Sequence, residues 1–118
     1  MRVLLVDDNE ELREFLALSL TEGSVDVVAV GSSSEAIALV ENEKFDAFVI
    51  DSVMGTDDGL TLVSQLKALK NARNVPIMLM SSISTSLARR MAQSLGCKEF
   101  LVKPFGQSQF LEQVRTLK

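Results

Sequence analysis

Short runs of apolar residues alternate with longer, more polar segments five times along the chain. The runs cover residues 3–6, 25–30, 47–50, 77–80 and 100–102 and are rich in Val, Ile, Leu and Met. The first, third and fourth runs show no alternation between apolar and polar residues, which is typical of parallel strands buried on both faces. The second run contains a charged residue, Asp26, so we predict that it lies nearer the edge of a sheet.

The intervening segments carry apolar residues three and four positions apart, the spacing that predicts amphipathic helices. Four such stripes predict buried helix faces at residues 12, 15, 16 and 20, at 62, 63, 66 and 69, at 87, 91 and 95, and at 110, 111, 114 and 117. Polar residues predict where the helices begin. Asp8 with Glu11 and Ser32 with Glu35 have capping-box spacing, and Asp58 is placed to cap a helix that starts just after it.

Strands and helices in strict alternation predict an α/β fold with a parallel sheet covered by helices on both faces. With five strands and right-handed crossovers, we expect a doubly wound, flavodoxin-like (βα)5 sheet of strand order 2-1-3-4-5. The 118 residues suit a single domain, and no repeat, linker or low-complexity tract divides them. Ligands of such sheets bind at the carboxyl ends of the strands, where the winding reverses between strands one and three.

Composition narrows the functional classes. Hydrophobic residues make up 47% of the chain and charged residues 24%, as in a globular protein, and the net charge of −4 argues against a nucleic-acid surface. The absence of histidine excludes histidine-based triads and metal sites, and a single cysteine cannot form an intrachain disulfide. Every apolar run is far shorter than the ~20 residues of a membrane span. We therefore expect a cytoplasmic protein without membrane insertion or direct nucleic-acid binding.

Three carboxylates are predicted to converge at the winding reversal. Asp7 and Asp8 follow the first strand and Asp51 follows the third, which lies beside it at ~4.8 Å in the proposed order. Two unit charges ~5 Å apart repel by roughly 3 kcal/mol at an effective dielectric constant of ~20. A hard cation would relieve that repulsion, and an oxygen-only ligand set without His or Cys favours Mg²⁺ over zinc.

The remaining strand ends add groups suited to phosphate chemistry. Lys103 follows the fifth strand and offers a positive charge to a phosphate oxygen, while Ser81 and Ser82 follow the fourth and offer hydroxyl groups. Mg²⁺, a lysine, a hydroxyl and a spare carboxylate suit phosphoryl transfer, which depends on positioning and charge neutralisation. The attacking group could itself be a carboxylate, since Asp forms acyl phosphates.

Over essentially its whole length, residues 1–118, the sequence resembles the receiver domain of two-component response regulators. The resemblance is carried by the acidic pair after strand one, Asp51 after strand three, Ser81 after strand four and Lys103-Pro104-Phe105 after strand five, all in the family's order. Paired aspartates alone are common, but the four motifs together at these strand ends are specific.

The resemblance implies a role for each of these residues. Asp51 would accept a phosphoryl group from a phosphohistidine on a histidine kinase or phosphotransfer protein. Asp8, Asp51 and the backbone carbonyl of Val53 would bind Mg²⁺ directly, and Asp7 would bind it mainly through a water. Lys103 would pair with Asp51 before the reaction and with the phosphoryl group after it.

The resemblance also implies how the signal leaves the domain. Ser81 would hydrogen-bond the phosphoryl oxygen and Phe100 would turn inward as an aromatic switch, changing the face formed by helix four, strand five and helix five. That face would signal to a downstream output domain or protein. The Lys103–Pro104 bond would be cis. The domain would catalyse only its own phosphorylation and dephosphorylation and would otherwise not be an enzyme.

Two departures from the family pattern lead to further hypotheses. Gly55 stands four residues after Asp51, where the family usually has proline, so we predict a looser loop around Val53 and weaker Mg²⁺ binding. Val53 and Ile83 flank the path of the attacking water in receiver domains and are both apolar here. Because neither can orient a water molecule, we hypothesise a long-lived phospho-aspartate.

Alternative interpretations remain open at this point. A Mg²⁺-dependent phosphatase or phosphotransferase could use a similar sheet, although it usually needs a second acid or base soon after the nucleophile, where Ser52 and Val53 cannot serve. A degenerate interaction module that is never phosphorylated is a third possibility. Among single residues, Ser82 could replace Ser81 as the hydroxyl donor, and Phe100 could be only a core aromatic.

Overall fold

The computed structural model describes residues 1–55 and 57–118 and has a central parallel sheet flanked by helices. The strands of this sheet are β1 (Arg2–Val6), β2 (Asp26–Val30), β3 (Ala47–Asp51), β4 (Ile77–Ser81) and β5 (Glu99–Val102). The helices are α1 (Glu10–Glu22), α2 (Ser33–Asn42), α3 (Gly59–Ala68), α4 (Ser86–Ser94) and α5 (Gln107–Arg115). Within the described residues, no helix is both long and apolar enough to cross a membrane.

The strand order is β2-β1-β3-β4-β5, which confirms the predicted doubly wound α/β topology. β1 lies between β2 and β3, with Val3 opposite both Val27 and Ala47, and all the pairings in this sheet are parallel. β2 forms an edge of the sheet, as the charge within it predicted. The carboxyl ends of β1 and β3 therefore lie side by side at the winding reversal.

Two hydrophobic cores lie on opposite faces of the sheet. α1 and α5 cover one face, where Leu16 and Phe110 are fully buried. α2, α3 and α4 cover the other, where Phe48 and Leu62 are fully buried. Since β1, β3 and β4 contribute to both cores, the strands that carry the aspartates and Ser81 are fixed from both sides.

A short antiparallel strand pair follows β3 and was not predicted. It joins Val53–Met54 to Asp57–Asp58, and we refer to these four residues as the short strand pair. Gly55 between them has φ +57°, a left-handed conformation that favours glycine and that the ring of proline cannot adopt. This conformation gives a local structural reason for glycine at this position.

The helix starts are partly as predicted. The Ser32 side chain caps α2 by accepting from the Glu35 amide, and the Asp58 side chain caps α3 by accepting from the Leu60 amide at 3.0 Å. The predicted capping by Asp8 was wrong. Asn9 caps α1 instead, accepting from the Leu12 amide at 3.0 Å, because α1 begins one residue later than the capping-box spacing implied.

Two of the predicted apolar stripes are buried only in part. Phe15 on α1 is 49% exposed, and on α4 Leu87 and Met91 are exposed, whereas Ala92 is buried. Periodic spacing shows that residues share one face of a helix but does not show which face meets the sheet. α4 turns the small Ala92 towards the core, and this leaves its larger apolar residues at the surface.

Candidate functional site

The three predicted aspartates meet at the carboxyl ends of β1 and β3. Asp7, Asp8 and Asp51 each offer one carboxylate oxygen, and these oxygens all lie within 4.8 Å of one another. Asp7 and Asp51 are buried, whereas Asp8 is exposed. The cluster is thus an acidic site with two buried carboxylates and one carboxylate that is open to solvent.

The Asp7 carboxylate is buried and only half satisfied. Its Oδ1 accepts from the Asn9 amide at 2.9 Å, whereas its Oδ2 has no hydrogen-bond partner among the described residues. Burial raises the pKa of Asp7 to about 6, with the Asp51 charge adding to the effect and the Asn9 amide and Lys103 opposing it. A buried carboxylate oxygen without a partner is unusual. Next to two other carboxylates, it fits a bound cation.

Lys103 supplies the positive charge of the site. Its Nζ lies 3.1 Å from Asp51 Oδ1 and 3.9 Å from Asp7 Oδ2. Lys103 follows β5 directly, and the peptide bond to Pro104 is cis, as the resemblance implied. The ammonium group therefore lies within ion-pair distance of both buried carboxylates and balances one of their charges.

The donor set fits a hard divalent cation. Three carboxylates and one ammonium leave a net charge of −2, and the ligand atoms on offer are oxygens, the kind that Mg²⁺ prefers. Val53, proposed to contribute a backbone carbonyl, begins the short strand pair two residues after Asp51, and its amide lies 3.4 Å from Asp51 Oδ1. A Cβ added at Gly55 would lie 3.2 Å from Asp8 Oδ2, so this loop borders the open side of the site.

The two serines after β4 occupy different environments. Ser81 is buried at the end of β4, next to β3, and its hydroxyl accepts from the Ile83 amide at 3.0 Å. Ser82 is exposed. Ser81 is therefore the serine at the carboxyl end of the strand, and in this structure its hydroxyl is hydrogen-bonded within the loop that follows β4.

Phe100 lies between the core and the surface helix α4. It is half-buried on β5, opposite Leu79 of β4, and packs against the core beneath α2, α3 and α4. The guanidinium carbon of Arg89 lies 5.0 Å from the centre of its ring. The outer face of Phe100 is thus covered by a charged side chain of α4.

Sequence reasoning missed two residues that support the site. The Arg13 side chain donates to the backbone carbonyl of Asp7 at 2.8 Å. Asp57 accepts from the Ser33 amide at the start of α2 at 2.9 Å. Neither contact follows a short-range motif: Arg13 lies six residues after Asp7, and Ser33 lies 24 residues before Asp57.

Comparison with known proteins gives a consistent result. The model of the response regulator receiver domain family matches residues 3–115. The regulatory protein VirG of Agrobacterium fabrum is 32% identical over 114 residues, which cover 96% of this chain and 44% of VirG. The response regulator MprA of Mycobacterium leprae is 31% identical over 117 residues, which cover 99% of this chain and 50% of MprA. The chain spans about half the length of these relatives.

Solved structures match over nearly the whole chain. The receiver domain of the Francisella response regulator 1452 aligns with a TM-score of 0.89 and 26% identity, covering 98% of this chain and 94% of that one. Chemotaxis protein CheY4 of Vibrio cholerae has a TM-score of 0.94 at 22% identity, covering 99% and 98%, and this shows the shared fold alone. The receiver domain of the sensor histidine kinase PA1611 of Pseudomonas aeruginosa, solved with magnesium in its active-site cleft, has a TM-score of 0.84 and 26% identity, covering 98% and 93%.

Proposed function

This chain belongs to the response regulator receiver domains, the phosphorylation-activated switches of two-component signalling, and we propose that residues 1–118 form one such domain with Asp51 as the phospho-acceptor. The observation that carries the proposal is the environment of the Asp51 carboxylate. It is held 3.1 Å from the Lys103 ammonium and beside the carboxylates of Asp7 and Asp8. That arrangement combines a carboxylate nucleophile, an ammonium group that can pair with the transferred phosphoryl group, and carboxylate ligands for a cation.

The phosphoryl group would come from a phosphohistidine outside residues 1–118, which contain no histidine. A carboxylate oxygen of Asp51 would attack the phosphorus of a phosphohistidine on a histidine kinase or phosphotransfer protein. The new O–P bond forms as the P–N bond breaks, and the electron pair of that bond stays on the imidazole, which leaves in neutral form once it carries a proton. Lys103 would then pair with the phosphoryl oxygens. Hydrolysis by water, which breaks the O–P bond, would return Asp51 to its free form.

We propose a Mg²⁺ site at Asp8, Asp51 and the Val53 backbone carbonyl, with Asp7 acting through a water. The unpartnered oxygen of Asp7 and the clustering of the three carboxylates support the assignment. Bound Mg²⁺ would neutralise charge on the oxygens of the transferred group. Asp8 is the exposed member of the cluster and would be accessible to Mg²⁺ entering from solvent. The weaker Mg²⁺ binding expected from Gly55 stays a prediction.

We further propose that Ser81 and Phe100 carry the switch. The Ser81 hydroxyl, which accepts from the Ile83 amide in this structure, would donate to a phosphoryl oxygen and draw the β4–α4 loop towards Asp51. Phe100 would turn inward as the loop moves. Both changes would alter the face made by α4, β5 and α5, and the small buried surface of α4 supports it as the part that shifts.

The partners and location also belong to the proposal. Response regulators work with histidine kinases and output domains, so the partners proposed are a kinase or phosphotransfer protein and a downstream output domain or protein. The domain would lie in the cytoplasm without inserting into a membrane, would not contact nucleic acid directly and would catalyse only its own phosphorylation and dephosphorylation. The relatives described above are regulators and receiver domains, which gives no support to the alternative of a Mg²⁺-dependent phosphatase or phosphotransferase.

Measuring phosphate release distinguishes the proposed switch from a phosphatase and from a degenerate module that is never phosphorylated. The protein is incubated with acetyl phosphate and Mg²⁺, and both bound phosphoryl groups and free phosphate are measured over time. A switch takes up at most one phosphoryl group per chain, and free phosphate appears no faster than this adduct decays. Steady turnover without an accumulating adduct would indicate a phosphatase, and the absence of any adduct would indicate a degenerate module. Either result would overturn the proposal.

A further inference from the structure

The short strand pair is attached to α2 by a side-chain contact. Asp57 Oδ2 accepts a hydrogen bond from the backbone amide of Ser33 at 2.9 Å. Ser33 is the first residue of α2, where amide groups lack partners within the helix and negative charge is favourable. Ser32 caps the same helix from within its own segment by accepting from the Glu35 amide. The start of α2 is thus held by two side chains, one of which belongs to the loop after Asp51.

The same short strand pair is also attached to the core and to α3. Met54, paired with Asp57, is 2% exposed and lies in the core beneath α2 and α3. Asp58, paired with Val53, caps α3. A Cβ at the next residue, Gly59, would collide with the backbone carbonyl of Asp51, so α3 starts in direct contact with the end of β3. On the other side, the hydrogen bond between Asp57 and Ser33 joins the short strand pair to α2.

The other strand of the pair, together with the turn, borders the acidic site. Val53 begins the strand partnered by Asp57–Asp58, and Gly55 in the turn faces the Asp8 carboxylate. A proline at position 55 would restrain the turn through its ring, but the φ of +57° observed for Gly55 is incompatible with proline. Glycine therefore gives the turn no covalent restraint, whereas the hydrogen bond from the Ser33 amide to Asp57 gives the short strand pair a non-covalent one.

We infer that Asp57 is a positioning residue, which holds the short strand pair on α2 and so keeps the Val53 backbone and the turn at Gly55 in place beside Asp8. This inference rests on the proposed Mg²⁺ site and adds a residue to it that does not touch the ion. The hydrogen bond joins the loop to a neighbouring helix and so would limit the conformational freedom that glycine gives the turn.

The test compares three variants in the absence and presence of Mg²⁺. Asp57→Ala removes the acceptor, Asp57→Asn keeps an oxygen acceptor without the charge, and Ser32→Ala weakens the start of α2 without touching the loop. Amide hydrogen exchange of residue 33 and of residues 53, 54, 57 and 58 is measured in metal-free protein. The dissociation constant for Mg²⁺ is then measured by NMR titration of the same amides.

We expect Asp57→Ala to speed exchange of these amides up to about tenfold and to raise the Mg²⁺ dissociation constant roughly 2- to 10-fold, the range that corresponds to the net contribution of a typical intramolecular hydrogen bond. Asp57→Asn should restore most of both losses. Ser32→Ala should lower the melting temperature and leave the Mg²⁺ dissociation constant unchanged.

Two results would overturn the inference. One is exchange in the short strand pair that Asp57→Ala does not change, and the other is a Ser32→Ala variant that weakens Mg²⁺ binding as much as Asp57→Ala does. Because exchange is measured without metal, the failure of the proposed function is distinguishable: a wild-type protein that binds no Mg²⁺ overturns the proposed site, whereas unchanged exchange overturns only the anchoring by Asp57.

Discussion

The acidic site and α4 are held in different ways: the site lies at the carboxyl ends of β1 and β3, whereas α4 covers one face of the sheet. Asp7 directly follows β1 and Asp51 ends β3, and both strands contribute buried residues to the two cores, so the positions of these aspartates are fixed by the packing of the whole molecule. α4 buries Ala92 and leaves Leu87 67% exposed. The chemistry thus lies on the most rigidly packed strands, and the proposed response lies on a segment that can shift at a small cost in free energy.

The largest expected difference is in stability. Phe48 on β3 is fully buried, so Phe48→Ala should lower the free energy of unfolding by about 3–5 kcal/mol. Leu87→Ala on α4 should change it by less than ~0.5 kcal/mol, because that side chain is mostly exposed. Urea unfolding followed by circular dichroism measures both. A loss above ~2 kcal/mol for Leu87→Ala would show that α4 is packed as firmly as the sheet.

A smaller effect is expected from the charge of Asp7. Its pKa is raised from 3.8 to about 6, so the folded protein holds this proton more tightly than the unfolded chain does. The sign follows: this carboxyl favours folding at low pH, and the metal-free protein loses about 2–3 kcal/mol through it as pH rises from about 4 to 6.

Asp7→Asn is the control for that effect. It cannot titrate, so the difference in unfolding free energy between Asp7→Asn and the wild type should grow from pH 4 to pH 6 in favour of the variant and stay constant above. Saturating Mg²⁺ should reduce the difference at neutral pH. A difference that does not depend on pH would mean that the pKa of Asp7 is not raised in the folded protein.

The lifetime of the phospho-aspartate tests the side chains of Val53 and Ile83, which follow β3 and β4. Val53 is 59% exposed and Ile83 is 51% exposed, so a Val53→Asn, Ile83→Glu double variant should fold normally. If the wild-type side chains fail to orient the attacking water, the variant should release phosphate about tenfold faster, a change of ~1.4 kcal/mol in the barrier. Leu18→Glu, at a 57% exposed position on α1, is a matched control. Equal decay in wild type and double variant would refute the hypothesis.

The smallest effect is expected at the contact between α4 and β5. Arg89 lies over the Phe100 ring, a contact worth about 0.5–1 kcal/mol at an exposed position. Arg89→Ala should therefore raise the population of the inward Phe100 conformer about 2- to 5-fold, seen as a shift of its ring resonances towards those of the phosphorylated protein. The exposed neighbour Arg90 provides the control. Identical shifts for Arg90→Ala would show that charge, rather than contact with the ring, is responsible.

Much of the fold could be predicted because its signals are local. Uninterrupted apolar runs identified the central strands, and the charge at Asp26 placed β2 at the edge. The position of the site followed from topology, since the carboxyl ends of β1 and β3 must meet wherever the winding reverses. Asp7, Asp8, Asp51 and Lys103 can therefore be predicted together from the sequence.

The rest depends on contacts between distant segments. Nothing in the spacing of α4 indicates that Ala92, rather than Leu87, meets the sheet, because helix rotation is set by the available space. The bond from Ser33 to Asp57 joins residues 24 positions apart, which the fold brings together. Such contacts have no periodic signature, although they hold the loop beside the site.

The most direct test of the central claim is the mass of the protein and its peptides after incubation with acetyl phosphate, with and without Mg²⁺. We predict one added phosphoryl group, located on the peptide that contains Asp51, present only with Mg²⁺ and absent from Asp51→Asn. A wild-type protein that stays unmodified while the receiver domain of a relative is labelled under the same conditions, or a label on another residue that persists in Asp51→Asn, would contradict the account.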